Sequence, residues 1–145
     1  PIQRMCVMLQ KEAVDRVVAQ PGEKAYGPLA IYCAYRAEVE RLFRVPPHCF
    51  VPAPKVTSTV VRLRVRKSPP VAVQDEKLLF TVVRAAFNQR RKTLRNSISP
   101  ILEKGNPLSA DPIFNKRPEQ LSVQDFIDLT NRVEEALNSS AAKAE

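Results

Sequence analysis

Only three of the 145 residues are glycine, Gly22, Gly27 and Gly105, and no two of them are separated by a single residue. No G-x-G loop can therefore be drawn, which removes the glycine-rich turn that lets a backbone approach a phosphate or a nucleotide cofactor. Histidine occurs once, as His48, and the three cysteines, Cys6, Cys33 and Cys49, lie far apart. That spacing matches neither a paired metal site nor a disulfide framework, so no metal is expected and the thiols read as reduced. No window approaches the apolar length of a membrane span, and no charged-then-apolar leader opens the chain. Acidic residues are scarce too: 15 Asp and Glu stand against 23 Lys and Arg, for a net charge of +8 and a pI near 9.8. Such a balance favours a polyanionic partner, either nucleic acid or an acidic membrane surface.

Proline, by contrast, is abundant, with 13 residues. Pro46, Pro47, Pro52 and Pro54 bracket one aromatic, Phe50, within HCFVPAPKV. Each proline fixes its own φ and pushes the preceding residue towards extended conformations. The loop is expected to be stiff and non-helical, holding the ring in one place for either a core or a ligand.

The apolar pattern divides the rest. Residues 5–9 read as a short buried strand, 11–19 as a helix, 29–35 as a second helix and 39–45 as a strand. After the proline loop, VVRLRVR (60–66) alternates apolar and basic residues, predicting a strand with one wet face that carries Arg62, Arg64 and Arg66. Strands 39–45 and 60–66 suit an antiparallel pair. KSPPVAVQ (67–74) reads as a linker. Residues 75 to about 104 read as helical with a break near 96–100, and Phe80, Val83, Phe87, Leu94 and Ile98 form the buried stripe. Residues 105–120 read as loop. SVQD (122–125) resembles a capping box that opens a helix through Leu137, and the tail 138–145 is expected to be disordered. An opening strand with nothing to pair on its other side is an aggregation hazard, so further strands are expected before it and the chain reads as a fragment.

MLQKEAVDRVVAQPGEKAYGPL, VPPHCFVPAPKVTSTVVRL and RAAFNQRRKTLRNSI follow one another in this order. Together they resemble the bacterial small-subunit ribosomal RNA adenine dimethyltransferases, the KsgA family. The resemblance covers residues 5 to about 137. It departs from the family pattern at Thr57, where the family often has Asp, and at Ala30-Ile31, where Ser-Val is common. It implies an α/β fold: residues 1–66 as the end of a Rossmann-like methyltransferase sheet, then a small all-α RNA-docking domain over 75–137.

By the same resemblance, the intact protein transfers methyl groups from S-adenosylmethionine to N6 of two adjacent adenosines. These lie in the 3′-terminal hairpin of small-subunit ribosomal RNA, and a role in ribosome biogenesis follows. Phe50 is then the ring that stacks on the extruded base, with Pro52, Pro54 and Lys55 shaping the target loop. Arg84, Arg91 and Arg95, at i, i+7 and i+11 of one continuous helix, would form a phosphate-binding edge flanked by Arg90 and Lys92, with Lys116 and Arg117 as further contacts. Lys11, Glu12, Asp15 and Arg16 read as pairing along their helix. The family's Asn/Asp-Leu-Pro-Tyr/Phe turn and its cofactor loop have no counterpart here, so this polypeptide alone is expected to bind no donor and to be inactive. A cytoplasmic monomer that acts on the small ribosomal subunit, with no membrane partner, is the implied setting. Two alternatives are a non-catalytic RNA-binding assembly factor and a resistance methylase of the large-subunit RNA.

Overall fold

A computed structural model describes residues 1–68 and 73–144. The chain divides into two compact units, Pro1–Pro69 and Pro70–Glu145. Part of the expected linker, residues 69–72, lies outside the described residues.

In the first unit, β1 (Arg4–Gln10) runs directly into α1 (Lys11–Val17), followed by α2 (Pro28–Arg36), β2 (Ala37–Val45) and β3 (Ser58–Val65). The sheet order is β1-β3-β2, and both pairings are antiparallel. Pro28 opens α2, where its missing N–H costs nothing because that donor has no intrahelical partner. Alternation along β3 sends Thr59 and Val61 to the helix-covered face, where they are buried with Val14, Tyr26, Ile31 and Tyr35. The opposite face carries the predicted arginines. Arg62 pairs with Glu40, while Arg64 and Arg66 approach Glu38 at 3.9 and 3.5 Å. These acids sit directly across the register from Arg62 and Arg64, so much of the wet face is locally neutralised. Arg66 also donates through Nε to the Ala34 carbonyl at 3.0 Å, which covers an open carbonyl at the C-terminus of α2.

The opening strand differs from expectation. Every residue of β1 except Val7 is exposed: β1 lies at the edge of the sheet, paired with β3 alone among the described strands, and α2 packs on β2 at the opposite edge.

The second unit contains α3 (Glu76–Asn88), α4 (Leu94–Ser97) and α5 (Val123–Ala144), joined by short 3-10 turns. Asp75 caps α3 by accepting from the Leu78 N–H at 3.1 Å. At α5 the capping box is reciprocal: Ser122 N–H donates to Asp125 at 3.0 Å, and Asp125 N–H donates to the Ser122 hydroxyl at 3.1 Å. Leu79, Val82, Val83, Leu94, Ile98, Phe114, Phe126, Leu129 and Val133 are buried, and Phe87 meets Phe126 with ring centroids 5.8 Å apart.

Three expectations are corrected. The long helix breaks earlier than predicted, after Asn88, in addition to the change to a 3-10 turn at Ser99–Ile101. The polar run 88–93 has no apolar side chain to hold a helix against the core, so the chain turns, and Leu94 and Ile98 enter the core from a separate short helix. Residues 105–120 are not plain loop but three 3-10 turns, each opened by a proline: Pro107–Ala110, Pro112–Asn115 and Pro118–Gln120. The tail is not disordered either. It continues α5 through Ala144, in keeping with the strong helix propensity of its alanines.

Asp111 ties this turn-rich segment to α5. Its carboxylate accepts from the Ile113 N–H at 2.9 Å and from Arg132 at 2.6 Å. The Ile113 amide, with the Arg132 guanidinium, holds the Asp111 carboxyl below the usual carboxylate range. A group with a depressed folded pKa adds stability above its unfolded pKa of about 3.9, and that stability is lost as pH falls through the folded value. Asp111→Ala is therefore expected to lower the melting temperature at neutral pH. In melts across a pH series the gap to wild type begins to narrow as pH drops below about 3.9 and keeps shrinking as pH falls through the folded value; a gap of constant size would refute the linkage.

Candidate nucleic-acid-binding sites

In the first unit, the segment between β2 and β3 is fixed at both ends. Val45 pairs with Ser58 across the antiparallel ladder, and the Lys11 N–H donates to the Thr57 carbonyl at 2.9 Å. Asp15 on α1 reinforces the frame, accepting from Lys11 Nζ at 3.0 Å and from Arg41 of β2 at 2.9 Å. The Lys11 hydrogen bond, assisted by Arg41, lowers the Asp15 pKa. Pairing of Lys11 with Asp15 along the helix was legible in the sequence. The partnership with Arg41 was not, because it depends on how α1 lies over β2.

Within this frame the proline loop is not wholly non-helical. Residues Pro47–Cys49 make one 3-10 turn, closed by Cys49 N–H to the Pro46 carbonyl and Phe50 N–H to the Pro47 carbonyl, both 3.1 Å. The prolines open this turn at positions where their missing N–H groups have no intrahelical partner to lose. Phe50 then returns to extended backbone, at φ −115° and ψ 151°. Phe50 is partly buried, while Val51 beside it is fully exposed, at 100%. The Val51–Pro52 peptide is cis. Pro52, Pro54 and Lys55 are exposed, and Lys55 has no ion-pair partner among the described residues.

The basic residues of the second unit do not share one helix. Arg84 lies on α3, Arg91 and Lys92 in the turn after it, and Arg95 on α4, so the i, i+7, i+11 edge does not form. A different arrangement replaces it. Leu94 N–H donates to the Lys116 carbonyl at 2.9 Å, and Arg95 donates to Asn115 Oδ1 at 3.1 Å. These bonds lay residues 115–117 alongside 91–95 and gather Arg91, Lys92, Arg95, Lys116 and Arg117, all exposed, in one region. Arg90 is partly covered and approaches Glu119 at 3.6 Å. Arg84 stands apart, exposed on its own helix. The sequence offered no sign of Asn115 as the group that orients Arg95, since a lone asparagine in a loop carries no pattern.

Two solved structures are similar in fold. A dimethyladenosine transferase from Plasmodium falciparum superposes with a TM-score of 0.76 at 24% identity, covering 92% of this chain and 58% of that one. The 23S rRNA methyltransferase ErmE gives 0.58 at 18%, covering 87% and 54%. The fold is thus that of the closing strands of a Rossmann-like methyltransferase sheet followed by a helical domain.

A family model described as ribosomal RNA adenine dimethylase matches residues 1–135, and the chain belongs to that family. It is 57% identical over 132 residues to the ribosomal RNA small subunit methyltransferase A of Phocaeicola vulgatus, covering 91% of this chain and 47% of that protein. With the protein of the same name from Pseudomonas aeruginosa it shares 47% over 134 residues, covering 92% and 50%. The chain spans about half the length of the curated relatives it matches.

The geometry separates residues that hold the basic turn from residues available to a ligand. Leu94→Ala is expected to lower the unfolding free energy by about 2–5 kcal/mol, and Arg91→Ala by less than about 0.5 kcal/mol. Urea denaturation of both variants checks this; a large destabilisation in Arg91→Ala would make that arginine structural.

Proposed function

We propose that this chain is the target-recognition half of an S-adenosylmethionine-dependent enzyme that dimethylates N6 of two adjacent adenosines in small-subunit ribosomal RNA. The observation that carries the reading is Phe50: a partly exposed ring held in a proline-fixed loop whose two ends are pinned by the β2–β3 ladder. Taking a base out of its stack costs a few kcal/mol, and one base–aromatic stack returns about 1–3 kcal/mol. The ring therefore offsets extrusion without leaving much surplus affinity. The exposed cations of the helical unit supply the remainder by pairing with phosphates, which suits RNA read by shape and backbone. Lys55 adds a charge at the loop, where a phosphate next to the extruded base would pass.

Among the described residues nothing fits the methyl donor. The three glycines stand apart, and β1 passes into α1 with no glycine between them. This half positions the acceptor base and grips the RNA; donor binding and methyl transfer require residues outside it. On this reading the chain alone is inactive, and the intact enzyme acts on the small ribosomal subunit in the cytoplasm as a monomer. No helix among the described residues is long and apolar enough to cross a membrane.

In the intact enzyme, Phe50→Ala is expected to cut methyl transfer by about tenfold or more, the worth of one stack, while binding to small subunits changes little. Equal reductions in both would refute the stacking role. Replacing Arg91, Lys92 and Arg117 together with alanine is expected to weaken binding and flatten the dependence of log K on log salt by up to about 0.9 for each phosphate no longer neutralised. A binding titration over a salt series checks this, and an unchanged slope would refute the docking role.

A further inference from the structure

Four consecutive residues at the tip of the β2–β3 loop, Val51, Pro52, Ala53 and Pro54, are apolar, and all four are exposed. Single apolar side chains in water are commonplace, but an unbroken exposed run of them is expected only where it serves a contact. Within the run Val51 is 100% exposed, so the fold removes none of its surface from water. The loop does not fold this side chain away. Its ends are pinned where Val45 pairs with Ser58 and where the Lys11 N–H meets the Thr57 carbonyl, and Pro52 and Pro54 fix φ on the far side of Val51. Phe50 and Val51 also diverge. Phe50 has extended backbone, at φ −115° and ψ 151°, and successive side chains on an extended chain point to opposite sides. Phe50 is partly buried on one side, while Val51 stands in water on the other. The exposed Lys55 closes the apolar run with a positive charge.

We propose that Val51 is a wedge that covers the base flanking the extruded adenosine, on the side of the loop opposite Phe50. The inference rests on reading Phe50 as the stacking ring, and it adds a positioning residue to that site. A base drawn out of its stack leaves a neighbour with a bare apolar face, and proteins that unstack bases cover such faces with apolar side chains inserted beside them. The two surfaces bared by extrusion then have separate covers: the target base lies on Phe50, and the stack left behind lies against Val51. Valine suits the second task because its branched head is stiff at χ1 and has little rotamer freedom to lose. The wedge also supplies what one aromatic stack does not, a surplus that holds the base out while methyl transfer takes place.

The test uses the intact enzyme in single-turnover methyl transfer to an RNA hairpin with a target adenosine in its loop, and to hairpins in which one or the other nucleotide flanking that adenosine is abasic. On the complete hairpin, Val51→Ser is expected to slow transfer by about fivefold or more, the worth of two methyl groups returned to water. Val51→Leu keeps an apolar head and is expected to stay within about twofold of wild type. On one of the two abasic hairpins the ratio of wild type to Val51→Ser is expected to fall to about one, because the base that Val51 covers is gone. A wild-type rate in Val51→Ser on the complete hairpin would overturn the wedge. So would a ratio that stays the same on both abasic hairpins, since a merely structural valine acts on every substrate alike. Phe50→Ala, measured alongside, separates the two readings. A slow Phe50→Ala with a wild-type Val51→Ser removes the wedge alone, whereas a wild-type rate in Phe50→Ala removes the stacking reading and the wedge with it.

Discussion

The pairing of β2 with β3 is the constraint on which the first unit turns. It brings Val45 and Ser58 into register, so that residues 46–57 must leave and re-enter the sheet at neighbouring points. Lys11 and Asp15 of α1 then fix that exit from the side, one through a backbone bond to Thr57 and the other through Arg41. A loop closed this tightly has little entropy left to lose, and its four prolines remove more from the unfolded chain. Phe50 can therefore be held partly exposed without a surrounding core to immobilise it. The cost of leaving part of an aromatic ring in water is tolerable in a loop that is already ordered.

In the second unit an apolar constraint plays the matching part. Leu94 and Ile98 have to reach the core, and the polar run before them has no apolar side chain with which to extend α3. The turn that results exposes Arg91 and Lys92. The bond from Leu94 to the Lys116 carbonyl recruits a second basic segment to the same region. Charge is thus gathered by packing rather than by helical periodicity. Exposed arginines and lysines of this kind add little to stability, which leaves them free to serve a ligand. The arginines of β3 form the contrast, since Arg62 and Arg64 face Glu40 and Glu38 across the ladder.

What the sequence made legible follows from how local each signal is. The antiparallel pair β2–β3 was readable from two-residue alternation and the proline loop between the strands, and the capping box at Ser122 from its four residues; the pairing of β1 with β3 was not readable. The break after Asn88 was not readable. Arginine and lysine are good helix formers, and only the distant demands of Leu94 and Lys116 end the helix there. The exposure of β1 escaped for a related reason: an apolar run announces burial, but what covers it is decided by other segments. The α-helical tail is at odds with its small polar residues, which suggest disorder, because the alanines following Ser140 extend α5. At the candidate sites, Phe50 and the cations were identifiable by type, while the roles of Arg41 and Asn115 arise only through tertiary contacts.

The central claim is that the loop presents Phe50 to a purine lifted from its stack. Ring resonances of selectively labelled phenylalanine, followed during titration with an RNA hairpin bearing two adjacent unpaired adenosines, test it most directly. The account predicts an upfield ring-current shift for Phe50, with the buried Phe114 and Phe126 unmoved. A Phe50 resonance that stays in place while the amides of Arg91 and Lys92 respond to the same RNA would contradict it.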